Sequence, residues 1–250
     1  MSGAAITAIL FDKDGTLMDF ERTWIPAYKE AAGLVERRAG RPGLGARLLA
    51  DGGLDTATGR VEATAPLAAA ASEAIARDWA ERASLYNGAE DPVDLTQTVL
   101  DVFDAHTSDP VPITPLAPLF ARFKARGMFL GMATMDREAA AKSFAAAAGG
   151  EQLDFLCGAD SGMAGKPAPD MALAFCAAVG VAPGQLAVVG DTPHDIAMAR
   201  SAGARLAVGV RTGAAGNDGL EHCADFVIDS VAKLDRALNS RGLVAEQHSV

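Results

Sequence analysis

Basic residues are the scarcer charge in this 250-residue chain: 22 lysines and arginines stand against 32 aspartates and glutamates, a formal charge of -10. Nucleic acids and anionic membrane faces are bound by neutralising many phosphates with lysine and arginine, so neither is an expected partner. A small anionic substrate is a different case, because one lysine and a bound cation can make a site locally positive. Cysteine is rarer still. Cys157, Cys176 and Cys223 are odd in number, far apart and without the spacing of a zinc or redox site, so each reads as a small buried apolar side chain in a reducing compartment. No run approaches the roughly twenty unbroken apolar residues of a membrane span. The apolar start at 1–10 lacks a cationic leader and meets Asp12 and Asp14 at once, unlike a signal peptide. A cytoplasmic protein is the expectation.

What is present is a chain half apolar, long enough for one substantial core and a smaller second domain. Residues 5–11 form a short apolar run that stops abruptly at Asp-Lys-Asp-Gly, as a buried central strand ending in a loop does. Helical spacing follows at 24–38, broken by the glycines at 40–45, and again at 67–83 and 93–105, with no strand signal over 46–110. After Pro112 the texture changes. A helix at 115–126 precedes a strand at 128–133 and an alanine-rich helix at 136–148. Strands at 153–157, 186–190, 206–210 and 226–228 then alternate with helices at 169–179 and 194–202. This pattern predicts an α/β fold, a Rossmann-like parallel sheet with helices on both faces. The first strand belongs to that sheet, so 1–19 and 112–250 are read as one discontinuous core and 20–111 as an inserted all-helical cap, a candidate lid.

In an open parallel sheet, ligands bind beyond the carboxyl ends of the strands, so the residues that end each apolar run are the informative ones. Asp12 and Asp14 follow the first strand, and Thr134 follows the run at 128–133. Lys166 lies in a Gly-Lys-Pro loop, and Asp191 and Asp195 follow the run at 186–190. Carboxylates suit a divalent metal, while a hydroxyl and an ammonium suit phosphoryl oxygens. A carboxylate attacking a phosphate dianion meets like-charge repulsion, which a cation and Lys166 would offset. Taken singly, each acid is equally a helix cap or turn residue, Thr134 a helix-start hydroxyl and Lys166 a solvated lysine. Other motifs fail on spacing. A calcium loop from Asp12 would need glycine and glutamate where Leu17 and Thr23 stand, and a nucleotide P-loop through Lys166 would need other residues than Asp160 and Pro167. No dinucleotide fingerprint follows any strand.

Four segments, Asp12-Lys13-Asp14-Gly15-Thr16-Leu17, Thr134, Gly165-Lys166-Pro167-Ala168-Pro169-Asp170 and Gly190-Asp191-Thr192-Pro193-His194-Asp195, occur in the order that the haloacid dehalogenase-like superfamily shows. The chain resembles that superfamily over its whole core, and the insert after the first motif resembles the cap of the phosphoglycolate phosphatase-like group. The resemblance implies that Asp12 forms an aspartyl-phosphate and that Asp14 acts as acid and then base. It also implies that Asp191 and Asp195 hold Mg²⁺ with Asp12 and the Asp14 carbonyl, while Thr134 and Lys166 grip the phosphoryl group. A Mg²⁺-dependent phosphatase acting on a small phosphorylated metabolite is expected, with 2-phosphoglycolate the leading substrate. A phosphomutase acting on a sugar phosphate shares these motifs. A non-enzymatic phospho-acceptor module has no need of Asp14, and a metal-independent dehalogenase lacks that second aspartate.

Two positions depart from the superfamily's pattern. Lys13 stands where an apolar residue is usual, and strand alternation would turn it off the site. His194 lies between the last two aspartates and reads as a solvated helix-start residue. Arg22, Trp24 and Lys29 follow the first motif closely enough to reach a substrate, but helix-surface charge and a packed tryptophan are the expected roles.

Overall fold

Strand β1 (Ala8–Phe11) is buried along its whole length and lies at the middle of a six-stranded parallel sheet. The other strands are β4 (Phe129–Ala133), β5 (Phe155–Cys157), β6 (Leu186–Gly190), β7 (Leu206–Val210) and β8 (Phe226–Ile228), in the order β5-β4-β1-β6-β7-β8. This is a computed structural model, and it describes residues 5–62, 64–85, 91–213 and 219–244. Residues 1–4 of the apolar start lie outside the described residues. Ala8 pairs with Phe129 on one side and Leu186 on the other, so strand order reverses at β1 and a crevice opens beyond its carboxyl end.

The strands are continuous apolar runs because both faces of the sheet are covered. Alternate residues feed two separate cores. Ile9, Phe11, Ala187 and Val189 pack on one face with α6 (Leu116–Lys124), α7 (Glu138–Ala148) and α11 (Leu234–Ser240). Ala8, Leu10, Leu186 and Val188 pack on the other with α8 (Asp170–Val179), α9 (Pro193–Ser201) and α10 (Leu220–Cys223). The predicted α/β sheet with helices on both faces is therefore observed. The short helices α10 and α11 are additions to the sequence reading, too brief to show a helical period. Cys157 and Cys176 are buried as expected, whereas Cys223 is half-buried at the end of α10; all three are free thiols.

The chain leaves the sheet at Asp19 and returns at Val111, where the Asp19 amide donates to the Val111 carbonyl at 2.8 Å. Between them, α1 (Phe20–Arg38) is capped by the Asp19 side chain and α5 (Pro92–Thr107) by Asp91, with Pro92 in the first turn where its missing N–H costs nothing. These helices pack with α4 (Ser72–Ser84) around Trp24, Tyr28, Trp79 and Phe103, with Trp24 stacked on Tyr28 at 5.3 Å. A further helix, α2 (Leu44–Asp51), starts inside the segment read as a glycine break. Gly45 lies within it, and a Cβ there would sit 2.8 Å from the Ala32 carbonyl of α1, so the glycine permits close helix packing rather than ending a helix.

The insert corrects the all-helical expectation in one place. A two-stranded antiparallel hairpin, β2 (Leu54–Asp55) and β3 (Arg60–Val61), turns on Asp55, whose carboxylate accepts the Ala57 amide at 2.8 Å, and on Gly59 with φ +72°. Strands of two residues are too short for an alternating pattern. The single helix expected over 67–83 is two: α3 (Pro66–Ala69) and α4, separated by extended backbone at Ala70 and Ala71. That break brings the residues 68–70 and Ser72 to the crevice. Among the described residues, no helix is long and apolar enough to cross a membrane.

Candidate active site

The crevice beyond β1, β4 and β6 gathers every residue the motifs singled out. Asp12, Asp14, Thr134, Lys166, Asp191 and Asp195 all line one cleft, of about 520 Å³ including its open mouth. Asp12 directly continues β1, its amide donating to the Val189 carbonyl at 2.8 Å. Asp191 follows β6, with glycines on either side of it. A Cβ on Gly15 (φ +81°) would lie 2.5 Å from Asp191 Oδ2, and one on Gly213 would overlap the same oxygen. Asp195 sits in the first turn of α9, where its Oδ2 accepts the Thr192 amide at 3.0 Å and hydroxyl at 2.6 Å. The helix-cap role considered for Asp195 is thus real, and it uses only one oxygen.

Asp12, Asp191 and Asp195 each bring one carboxylate oxygen to a point where all three lie within 4.8 Å of one another. All three are buried, and Asp12 Oδ2 has no hydrogen-bond partner. Three clustered, desolvated carboxylates, with Asp12 Oδ2 unpartnered and Asp195 Oδ1 facing only Lys166, fit a hard divalent cation. Lys166 supplies the remaining positive charge, its Nζ 2.5 Å from Asp12 Oδ1 and 2.7 Å from Asp195 Oδ1. Burial pushes the Asp12 carboxyl up to about 7 against the pull of Lys166. Burial, with Asp12 and Asp195 as neighbours, also raises Asp191 well above its ordinary value. For Lys166, burial acts downward, but the two carboxylates outweigh it and hold the ammonium above the ordinary lysine range.

Asp14 is turned away from this trio. Its Oδ1 accepts a short hydrogen bond from Trp24 Nε1 and lies 3.1 Å from Lys13 Nζ, and its Oδ2 accepts from Thr134 Oγ1 at 3.2 Å. The Asp14 carboxylate is therefore outside the group suited to a cation.

Lys13 and Trp24 do more than their sequence reading assigned. Lys13 does not line the cleft, as expected, yet it is fully buried, two residues past the end of β1 at Phe11. Its ammonium bridges Asp14 and Asp136, the latter at 2.9 Å. Burial alone would lower Lys13, yet the two acids hold it above the ordinary range; burial acts upward on Asp136, but Lys13, Ser72 and the Arg137 amide together outweigh it and lower that carboxyl. Trp24 is packed as expected but also reaches the core through its indole N–H. Ser72 of α4 likewise donates to Asp136 Oδ1 at 2.8 Å, and Arg137 forms an ion pair with Asp104 of α5. His194 is half-buried rather than solvated and lines the cleft, with Nδ1 buried and unpartnered. Arg22 and Lys29 are exposed as expected. Asp136 and Ser72 were missed. The available signal for Asp136 was an acid two residues after Thr134 facing an unexplained Lys13 in another motif.

Comparison with known proteins bears on this geometry. The family model for haloacid dehalogenase-like hydrolases matches residues 6–203, from the first strand through the acids of β6 and α9. The chain belongs to this family. The family is named for hydrolases. A curated relative, "Probable phosphatase IndB" of Dickeya dadantii (strain 3937), is 38% identical over 109 residues, a match spanning 43% of this chain and 47% of that protein. Among solved structures, a predicted phosphoglycolate phosphatase from Haemophilus somnus 129PT superposes with TM-score 0.68 at 19% identity, covering 93% of this chain and 97% of that one. A protein provisionally named beta-phosphoglucomutase from Thermotoga maritima gives 0.67 at 20% identity, covering 94% and 99%. At these identities the structural likeness is one of fold.

Proposed function

We propose that this haloacid dehalogenase-like hydrolase is a Mg²⁺-dependent phosphatase that hydrolyses a small phosphorylated metabolite through a phosphoryl group carried on Asp12. The observation that carries the reading is Asp12 Oδ2, a buried carboxylate oxygen without a partner, on a residue clustered with Asp191, Asp195 and Lys166 at the strand-order reversal. Asp12, Asp191 and Asp195 would hold Mg²⁺, together with the Asp14 carbonyl. When bound, the cation supplies the positive charge that keeps these carboxylates ionised and lets an anionic nucleophile approach a phosphate.

In this reading an Asp12 oxygen attacks phosphorus while the bond to the leaving oxygen breaks, and Lys166 and Thr134 hold the phosphoryl oxygens. Asp14 protonates the leaving oxygen. It then takes a proton from water as the water oxygen attacks phosphorus, releasing phosphate and restoring Asp12. The insert at 20–111 acts as the cap over a core formed by 1–19 and 112–250, and its hydrogen bonds to Asp14 and Asp136 are the docked state. The protein works in the cytoplasm. The family resemblance puts 2-phosphoglycolate first among substrates to assay.

The test is phosphate release from a panel of small monoesters, with Mg²⁺ and with chelator, by the wild type and Asp12→Asn. Release should need the metal and fall about a thousandfold or more in the variant. Equal release by Asp12→Asn would overturn the reading.

A further inference from the structure

The two ends of the cleft differ in chemistry. At one end stand the carboxylates and Lys166. The opposite wall comes from the insert: Phe20, Trp24, Tyr28 and Leu67, with the small residues at 68–70. The polar side-chain atoms of that wall are already used within the protein. Trp24 Nε1 donates to Asp14, the Tyr28 hydroxyl donates to the Leu67 carbonyl at 2.7 Å, and Ser72 Oγ donates to Asp136. What the wall offers a ligand is ring face and methyl.

Positive charge is missing from the same wall. Among the described residues lining the cleft, Lys166 is the sole lysine or arginine, and it already lies between Asp12 and Asp195. Arg77 and Arg137 line a separate groove that shares only Ser72 and Met135 with the cleft, and Arg137 is paired with Asp104. A carboxylate or second phosphate on the leaving group would face Asp14 and Asp136, whose one cation, Lys13, is already shared between them, while His194, the other basic residue among the described lining, stands at the core end next to Asp195; desolvated like charges in contact are costly.

We infer that the leaving group is uncharged and presents an apolar or flat face: the substrate is the monoester of a neutral alcohol, neither a phosphorylated hydroxy acid nor a bisphosphate. The inference rests on the phosphatase reading and narrows it. It sets aside 2-phosphoglycolate, and it sets aside a mutase, whose sugar would present a second phosphoryl group in the course of transfer. The wall, rather than the phosphate end, makes the choice, since every monoester brings the same phosphate.

Matched pairs of substrates test this. Phenyl phosphate against 4-carboxyphenyl phosphate, and propyl phosphate against 2-phosphoglycolate, would be compared by kcat/KM with Mg²⁺ at pH 8, where imidazole is ordinarily neutral. The neutral member of each pair should lead by roughly tenfold or more. Ala68 and Ala70 pack on the apolar core, which leaves Ala69 as the wall position at which to add a cation. In Ala69→Lys the gap should close by about tenfold. Carboxylate members hydrolysed as well as or better than their partners would overturn the substrate class and leave hydrolysis standing, as would an unchanged gap in folded Ala69→Lys. No phosphate from any member would overturn hydrolysis and the substrate class together.

Discussion

Lys166, in the Gly-Lys-Pro loop, and Lys13, inside the first motif, are two buried lysines, each clasped by two carboxylates, and they serve different ends. Lys166 lies 2.5 Å from Asp12 and 2.7 Å from Asp195. Lys13 lies 2.9 Å from Asp136 and 3.1 Å from Asp14. The difference is in the oxygens left over. Around Lys166, Asp12 Oδ2 has no partner, so the cluster is incomplete without a ligand. Around Lys13 every carboxylate oxygen is engaged, by Trp24, Thr134, Ser72 or the Arg137 amide as well as the lysine. Two of those partners, Trp24 and Ser72, belong to the insert. A buried ion cluster with an unsatisfied oxygen awaits chemistry, and one with none holds two parts of the chain together.

The sharpest way to break this comparison is to remove each ammonium in turn. Lys166→Met should fold with Mg²⁺ present and lose phosphatase activity by about a thousandfold, as losing a transition-state charge partner does. Lys13→Met should lose stability first, with activity falling less than in Lys166→Met, since Lys13 touches the acid-base Asp14 but not Asp12. Stripping the shared cation from buried acids costs on the order of 3–5 kcal/mol, a fall in Tm on the order of 10 °C for a chain of this length. If thermal scans gave the two variants equal stability, the division of labour would be wrong.

A smaller effect separates the clusters by pH. The folded Asp12 value of about 7 lies above its ordinary 3.8, so its contribution is fully present below the ordinary value and lost as pH rises through about 7. Asp191 shifts in the same direction. Metal-free protein should therefore lose stability across that window, whereas Mg²⁺, which binds the ionised acids, should add more to Tm at pH 8 than at pH 5, by several degrees. A Mg²⁺ effect that shrinks as pH rises would contradict the assignment. The smallest expected change is Ser72→Ala. Asp136 keeps Lys13, so stability should fall by about 1–2 kcal/mol, measured by denaturant unfolding.

The same contrast explains what could be read in the sequence. Asp12, Thr134, Lys166, Asp191 and Asp195 were legible because each follows a strand or loop whose end a parallel sheet must bring to one crevice. The sheet itself was legible from continuous apolar runs such as 186–190, which matches β6 residue for residue. The Lys13 cluster was not legible. It joins residues from four distant stretches through side-chain geometry, and Lys13 sits in a bend where no periodicity applies. The hairpin at Leu54–Asp55 and Arg60–Val61 escaped because two-residue strands carry no pattern. The helix break at Ala70 and Ala71 escaped because alanine is the best helix former; tertiary contacts, with Ser72 bonded to Asp136, override its propensity.

The central claim is that Asp12 carries the phosphoryl group, and trapping tests it most directly. Asp14→Asn, given p-nitrophenyl phosphate and Mg²⁺, keeps a nucleophile and a leaving group that needs no acid, but lacks the base that activates water. The phosphoryl-enzyme should then accumulate. After an acid quench, borohydride reduction should convert residue 12 to homoserine, only when substrate and Mg²⁺ are both present. Modification of a different residue, or full turnover by Asp12→Asn, would contradict the account.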